Sequence, residues 1–181
     1  MAALDFCSGL VALYAKDLEQ VSKHQRLRER YRSKKDTAKE KVEKENIDTL
    51  QKRMGATTEL IDALFKIFSE RYRDVYPEIR ASCITTLREW MLALPEKFVQ
   101  NAYLRYFGWL LNDRQAMVRA KTVESLLKIY SERSLVSNLE DFTTRFSDRF
   151  LQLPLDKNVH VAVVGLQLLR TLDQEYVINH E

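Results

Sequence analysis

The side chains that most often do catalytic or metal chemistry are scattered through this sequence. The two cysteines, Cys7 and Cys83, lie far apart, and the three histidines stand at positions 24, 160 and 180, so no pair has the spacing of zinc ligands or of a redox motif. The four glycines never cluster, and no Ser, Cys or His stands in the context of a nucleophile. We therefore expect a protein that is not an enzyme, holds no metal and needs no cofactor.

Basic side chains are the first group in this sequence that could take part in binding. Between Lys23 and Arg53 the sequence holds 12 Lys and Arg against 6 Asp and Glu, in a chain of net charge +3. Four of them recur at the spacing of one helix face: Lys23, Arg26, Arg30 and Lys34. Such a row can contact DNA phosphates without reading base sequence. The plainer interpretation is a solvated helix face, because glutamates are interspersed in the same segment, and the sequence alone leaves both open.

Aromatic side chains are the second such group, and they concentrate in residues 101–110. At helical spacing, Tyr103 and Phe107 fall on one stripe, while Tyr106 and Trp109 fall on another. Two aromatic stripes give more apolar surface than one core face requires, which is typical of a binding patch. The alternative is core packing, because helices of a repeat array bury two faces.

The elements that position these side chains are predicted to be helices. Hydrophobic residues make up 45% and charged residues 30% of the chain, with only 4 Gly and 3 Pro, a balance typical of long amphipathic helices joined by short turns. Apolar residues recur at helical spacing on both sides of a weak turn between Ser33 and Thr37. We therefore predict an all-α fold that begins with a long helical hairpin, residues 1–57, with a basic tip.

Residues 58–181 are predicted to form HEAT-type helical repeats. Three similar segments begin at Asp74, Asp113 and Asp156, so the periods are 39 and 43 residues. These are the periods of HEAT or armadillo repeats, in which each helix pair completes its core by stacking on its neighbours.

The repeated segments also predict a ladder of ion pairs. Each Asp stands in the turn before a helix, where it can cap the helix N-terminus, and Arg80 and Arg119 fall in the first turns of the first two helices. We expect each of these arginines to bind the Asp of the neighbouring repeat. The third segment has Ala162 where Arg is expected, so the ladder should end there.

Several runs of residues resemble, in order and spacing, the stromalin conservative domain of cohesin. The resemblance covers about residues 58 to 160 and rests on these runs: Arg71-Tyr-Arg-Asp74, Glu78-Ile-Arg80, Trp90-Met91, Tyr103-Leu-Arg-Tyr-Phe-Gly-Trp109, Asp113-Arg-Gln, Val118-Arg119 and Phe142-Thr-Thr-Arg-Phe-Ser-Asp-Arg149. The preceding hairpin resembles the family's long helix pair in position and character. Asn101-Ala102 and Arg105 depart from the family pattern, which could alter polar contacts beside the site.

The resemblance implies a nuclear, chromosome-associated subunit that works in sister chromatid cohesion and chromosome organisation. Its implied partners are the kleisin and core subunits of cohesin, the DNA backbone, and short peptides of regulators of the shugoshin, Wapl or CTCF class, some with an aromatic-x-Phe motif. No membrane partner is expected, because the chain has neither a secretory start nor an apolar run long enough to span a bilayer. The alternative is a generic HEAT-repeat adaptor that binds proteins but not DNA.

By the same resemblance, a peptide-binding surface falls on six residues: Tyr72, Arg105, Tyr106, Trp109, Arg145 and Phe146. We expect an aromatic side chain of the ligand to insert between Tyr106 and Trp109, while Arg145 pairs with an acidic group or a backbone carbonyl. From spacing alone Phe146 is a core residue, because it aligns with the apolar residues around it.

Overall fold

The computed structural model of the chain describes residues 2–176 and contains no strand within them, so the predicted all-α fold is confirmed. His180 lies outside the described residues. The helices are α1 (Ala2–Ser33), α2 (Thr37–Arg71), α3 (Pro77–Ala93), α4 (Pro95–Phe98), α5 (Asn101–Leu110), α6 (Ala116–Tyr130), α7 (Glu140–Gln152) and α8 (Val159–Tyr176), with 3-10 turns at Arg133–Leu139 and Leu153–Leu155. The chain's internal contacts divide it into two compact units, residues 1–67 and 68–181. The boundary predicted after residue 57 lies in the same helix, α2, and stays a prediction.

The first unit is a helical hairpin whose turn is a Schellman motif. Lys35 has a φ of 55°, and the N–H of Asp36 donates to the carbonyl of Tyr31 at 3.1 Å, while the N–H of Lys35 donates to that of Arg32 at 3.1 Å. These are the two bonds that satisfy the last carbonyls of a helix when the following residue is left-handed. The turn therefore ends α1 without a glycine, at the steric cost of placing a lysine in that conformation.

Side chains from α1 and α2 hold the hairpin together in an antiparallel arrangement. Asp17 is buried, and its carboxylate accepts hydrogen bonds from Arg53 Nε and Nη2 at 2.7 and 2.5 Å. Nearer the turn, His24 contacts Glu43 at 2.5 Å. An apolar cluster lies beside these pairs: Val21, Ile47 and Met54, with Tyr14, Leu18 and Leu50 packed against it.

The second unit is a stack of helix pairs. Helix α6 packs between α3 and α8, and α5 packs against both α6 and α7. Side chains such as Leu87, Trp90, Leu104, Leu126 and Tyr130 are almost fully buried in this stack. The order of short helices and tight turns is that of HEAT-type repeats, as the sequence predicts.

The predicted ladder of ion pairs is present. Arg80 Nε and Nη2 donate to Asp113 at 2.8 Å each, and Arg119 Nε and Nη2 donate to Asp156 at 2.7 and 2.6 Å. Both are bidentate pairs, the strongest geometry for Arg and carboxylate. Ala162 has no side-chain donor, so the ladder stops at Asp156 within residues 2–176.

The prediction that each Asp caps a helix is wrong in detail. Asp113 Oδ1 accepts from the N–H of Gln115 at 2.8 Å, and Gln115, which is extended, is the residue at the N-cap of α6. Asp74 accepts likewise from Tyr76, the N-cap of α3. Each of these two Asp residues therefore lies two residues before the cap and closes an Asx turn. The carboxylate of Asp113 also accepts both bonds from Arg80, and the second oxygen of Asp74 accepts from Arg71.

Candidate functional site

Three aromatic rings from α5 and the end of α2 meet at one place, called here the aromatic surface: Tyr72, Tyr106 and Trp109. The ring centroids of Tyr72 and Tyr106 are 4.7 Å apart with the planes at 80°, and those of Tyr106 and Trp109 are 5.4 Å apart at 85°. Tyr72 and Trp109 stack at 5.5 Å and 21°. The three rings therefore form one cluster of edge-to-face and stacked pairs, the geometries that aromatic quadrupoles favour.

The three rings differ sharply in exposure. Tyr72 and Tyr106 are 4% and 3% exposed, whereas Trp109 is 46% exposed. The tyrosines are buried because Phe68, itself inaccessible, lies under them, with its centroid 5.1 Å from that of Tyr106 and 6.5 Å from that of Tyr72. The sequence left open whether Tyr106 and Trp109 belong to the core or to a surface patch. In the structure Tyr106 is a core residue and Trp109 is a surface residue.

The expectation that a ligand ring inserts between Tyr106 and Trp109 does not agree with this arrangement. Carbon atoms of stacked rings approach to about 3.5–4 Å, so a ring inserted between two others would need their centroids about 7 Å apart. The observed separation is 5.4 Å, and the two rings are in direct contact. The accessible part of the cluster is instead the exposed side of the Trp109 indole.

Two guanidinium groups flank that indole. Arg105 lies with its Cζ 5.3 Å from the ring centroid of Tyr106 and 5.4 Å from that of Trp109. Arg73 lies 5.0 Å from the centroid of Tyr72 and 5.6 Å from that of Trp109, and its Nε donates to the hydroxyl of Tyr72. Both distances to Trp109 are within the range of cation–π attraction, so the guanidiniums are held beside the indole while remaining exposed.

Arg73 is a residue of this surface that the sequence prediction missed. It follows Tyr72 directly in the run Arg71-Tyr-Arg-Asp74. Nothing in that run distinguishes its role from the role of Arg71. In the structure Arg71 pairs with Asp74 at 2.7 Å, whereas Arg73 turns to the aromatic rings. The available signal was a cation beside an aromatic residue, which is too common in sequences to select one arginine.

The other two predicted residues, Arg145 and Phe146, lie on α7. This helix runs parallel to α5, since Asn101 contacts Asp141 at 3.3 Å at one end and Arg149 donates to the carbonyl of Leu111 at 2.8 Å at the other. Between these contacts Phe146 of α7 lies against Gly108 of α5.

Phe146 packs on the backbone of α5 at Gly108, the residue before Trp109. A Cβ at Gly108 would lie 2.1 Å from Phe146 Cζ, so only glycine permits the contact. Phe146 is half-buried, with its centroid 4.7 Å from that of Phe142, and Arg145 beside it is exposed. The structure therefore places Tyr72, Tyr106, Trp109 and Arg105 in one cluster, and Phe146 and Arg145 on the adjacent helix.

The four predicted DNA-contacting residues, called here the basic face, are all exposed: Lys23, Arg26, Arg30 and Lys34. Lys34 lies one residue beyond the end of α1, but its N–H still donates to the carbonyl of Arg30 at 3.3 Å, so the row continues. No ion pair of a basic-face residue occurs within residues 2–176. Two glutamates of the hairpin are engaged by other residues, since Glu40 lies 3.6 Å from Arg28 and Glu43 contacts His24.

No group of three or more His, Cys, Asp and Glu side chains within residues 2–176 is placed to hold a metal ion. Over the same residues, none of the helices is both long and apolar enough for a membrane span.

Comparison with known proteins matches a family domain to a segment that contains Tyr106 and Trp109 and begins one residue after Tyr72. Residues 73–147 match the model of the stromalin conservative domain. The chain is 41% identical over 121 residues to cohesin subunit SA-1 of Xenopus laevis, which covers 66% of this chain and 10% of that protein. It is 37% identical over 149 residues to sister-chromatid cohesion protein 3 of Arabidopsis thaliana, covering 78% of this chain and 14% of that protein.

A solved structure is similar along almost the whole chain. Cohesin subunit Scc3 from Z. rouxii, residues 88–1035, superposes with a TM-score of 0.83 at 26% identity, covering 98% of this chain and 20% of that one. The chain thus spans a fifth or less of the length of these relatives. The similarity includes the hairpin as well as the repeats, because it extends far beyond residues 73–147.

Proposed function

We propose that this chain, which belongs to the stromalin family of cohesin subunits, is a non-catalytic segment that serves sister chromatid cohesion by binding short peptides of cohesin regulators on its aromatic surface. The names of its relatives support the cohesion role, since they are cohesin subunits or cohesion proteins. The peptide-binding role rests on the geometry of this chain. The same proposal places the protein in the nucleus, on chromosomes, with the kleisin and core cohesin subunits as partners of the longer protein.

The observation that carries the peptide-binding role is the state of Trp109. Its indole is 46% exposed although it rests on two buried tyrosines and touches two arginines. A half-exposed tryptophan leaves more apolar surface in water than a smaller residue would at the same position, so its exposure costs hydrophobic stabilisation. Large, rigidly supported aromatic side chains next to Arg are the typical centres of protein interfaces. We therefore infer that Trp109 is the anchor of a partner contact.

The chemistry around Trp109 suggests what the peptide carries. An aromatic side chain of the ligand can pack on the exposed side of the indole, beside rather than between the existing rings. Arg73 and Arg105 then lie close enough to bind a carboxylate near that ring. Arg145, exposed on α7, is free to meet a second acidic group or a carbonyl. The ligand we propose is the aromatic-x-Phe peptide that the family resemblance implies, with acidic residues close to the aromatic pair.

Calorimetric titration of the chain with an acidic aromatic-x-Phe peptide tests this proposal. Trp109→Ala should lower the affinity by about 2 kcal/mol or more, roughly thirtyfold, as loss of a buried aromatic anchor does. Thermal unfolding should change little, because the indole is half-exposed and covers rings that Phe68 supports from below.

A matched control is Tyr76→Ala, which removes another large aromatic side chain, 65% exposed and outside the cluster. It should leave peptide affinity unchanged. Equal affinity of Trp109→Ala and the parent would disprove the anchor role. Unfolding of Trp109→Ala would assign the indole to the core, and Arg73→Ala then tests the surface without removing a ring.

A second function, sequence-independent DNA contact by the hairpin, is favoured by the exposed and unpaired state of the basic face. Phosphate contact requires Lys and Arg side chains held in a row and not neutralised by neighbouring carboxylates. Because the two functions use different elements, we propose a division of roles between the hairpin and the repeats. The generic adaptor alternative predicts peptide binding without DNA binding.

A further inference from the structure

The turns that precede α6 and α8 form a polar cleft in the second unit. Its volume is about 550 Å³, and Arg114 and Lys157 line it from the two turns while Arg149 lines it from the end of α7. The amides of Asn112 and Gln152 complete the wall. This cleft is lined by none of the residues of the aromatic surface.

The carboxylates of this cleft are already neutralised. Asp113 accepts two hydrogen bonds from Arg80, and Asp156 accepts two from Arg119. Burial alone would raise the pKa of Asp113, but the bonds from Arg80 and from the Gln115 N–H outweigh it and lower the pKa. Both carboxylates are therefore charged at neutral pH, and each is matched by one arginine of the ladder.

Three cations are left in excess. Arg114 and Lys157 are exposed and make no ion pair within the described residues. Arg149 Nη2 donates to the carbonyl of Leu111, and its nearest carboxylate oxygen is Asp156 Oδ2 at 3.9 Å. The Nε of Arg149 is buried and has no hydrogen-bond partner in the part of the chain that the structure describes. The Arg149 side chain is 20% exposed, but leaving its buried Nε donor unmatched is costly unless an acceptor reaches it.

We propose that this cleft binds a phosphorylated acidic segment of a partner protein, with the phosphate between Arg114, Arg149 and Lys157. A phosphate ester carries nearly two negative charges and three acceptor oxygens, which suits three excess cations in a small concave site. Asn112 and Gln152 can bind the peptide backbone on either side.

Nucleic acid fits the same cleft less well. Duplex DNA needs a track of cations, but the corresponding turn of the first repeat has Val75, 88% exposed, in the place of Arg114 and Lys157. One compact dianion is therefore a better match than a regular row of charges.

The test is a nuclear magnetic resonance titration of the whole chain with an acidic pentapeptide that carries a central phosphoserine, with the unphosphorylated peptide and a short random duplex as competing probes. The phosphopeptide should shift the amide signals of both turns and bind at least five times more tightly than the unphosphorylated one. The double variant R114E/K157E should lower its affinity at least tenfold. That variant should still bind the aromatic-x-Phe peptide, which separates this site from the aromatic surface.

The control is K128E/R170E, which reverses two exposed charges of the same unit outside the cleft. It should leave phosphopeptide binding unchanged. Equal loss in both double variants would reduce the effect to overall charge and overturn the proposal, as would equal affinity for the two peptides. A duplex that displaces the phosphopeptide from these turns at lower concentration would make this a nucleic-acid site instead.

Discussion

The two arginines of the repeat ladder are paired with carboxylates, whereas the four cations of the basic face on the hairpin are not, within residues 2–176. In residues 68–181, Arg80 donates to both oxygens of Asp113 and also to the carbonyl of Asp74 at 2.7 Å. Arg119 repeats this pattern with Asp156. On the hairpin, Lys23, Arg26 and their neighbours on the basic face are exposed and make no ion pair within the described residues.

The difference reflects where the acidic residues stand as well as how many there are. In the repeats, an Asp recurs at the repeat period, so each stacked helix pair brings a carboxylate to the arginine of its neighbour. On the hairpin, Glu40 and Glu43 are engaged by Arg28 and His24 on another face of α1. A segment's net charge therefore says little about which of its cations are available to a partner.

The largest expected effect comes from removing one carboxylate in each unit, Asp113→Asn and Asp17→Asn. Asp113→Asn strips the charge partner from Arg80, whose side chain is only 13% exposed, and should cost about 2–3 kcal/mol of unfolding free energy in the repeats. Asp17→Asn leaves Arg53, which is 54% exposed and can return to water, so the loss should be clearly smaller. Both tryptophans lie in the repeats, so their fluorescence during denaturant unfolding measures the first loss, and amide exchange in α1 measures the second.

The dependence of unfolding free energy on pH tests whether the ladder carboxylates stabilise the repeats. The pKa values of Asp113 and Asp156 are lowered in the folded state, so their contribution to stability is complete above the unfolded value, about 3.9, and is lost as pH falls through the folded values. The repeats should therefore lose stability below about pH 4, and Asp113→Asn should show less of this loss than the parent. An acid profile identical in the two proteins would show that the ladder does not set the acid stability.

The ladder could be predicted from the sequence, whereas the exposure of the aromatic residues could not. Asp74, Asp113 and Asp156 recur at a measurable period, and the arginines recur with them, so the pairing follows from stacking alone. Tyr106 and Trp109 are three residues apart on the same helix, yet one is buried and the other half-exposed. That outcome depends on Phe68 and Tyr72, which reach α5 from α2.

The next largest effect is expected on DNA binding by the basic face, whose cations make no ion pair within the described residues. Reversing Lys23, Arg26, Arg30 and Lys34 to Glu should abolish binding to random duplex, measured by gel shift at two salt concentrations. If all four contact phosphates, log K of the parent should fall against log salt with a slope of about −3.6, since each contact contributes about −0.9. Peptide binding by the repeats should be unaffected. Unchanged DNA affinity would leave these residues as a solvated helix face, and the adaptor alternative would stand.

Arg73 is a third kind of cation, because it contacts aromatic rings and is neither paired with a carboxylate of the described residues nor isolated in solvent. Arg73 lies against Tyr72 and Trp109, at cation–π distances. Arg73→Ala should weaken binding of the acidic aromatic-x-Phe peptide by about 1 kcal/mol, roughly fivefold, through loss of one exposed charge-assisted contact. Arg73→Lys should recover only part of this, because an ammonium does not stack on the rings as a guanidinium does.

Calorimetry with peptides that differ only in their acidic residues checks the cause. The loss in Arg73→Ala should disappear when those residues are replaced by amides. A loss that persists with the neutral peptide would mean that Arg73 orders the rings and does not meet the ligand's charge.

The smallest expected effect concerns Lys35, where charge and backbone geometry favour different residues. Its φ of 55° favours glycine, so Lys35→Gly should stabilise the hairpin by about 0.5 kcal/mol after the greater flexibility of the unfolded glycine chain is counted. Lys35→Ala removes the same charge but keeps the strain, so it should not stabilise. If the tip meets DNA, both variants should lower the salt slope by the same amount, at most about 0.9. If neither variant changes the DNA affinity, the DNA contact is restricted to the four residues of the basic face. DNA binding would then not explain why a lysine occupies this strained position.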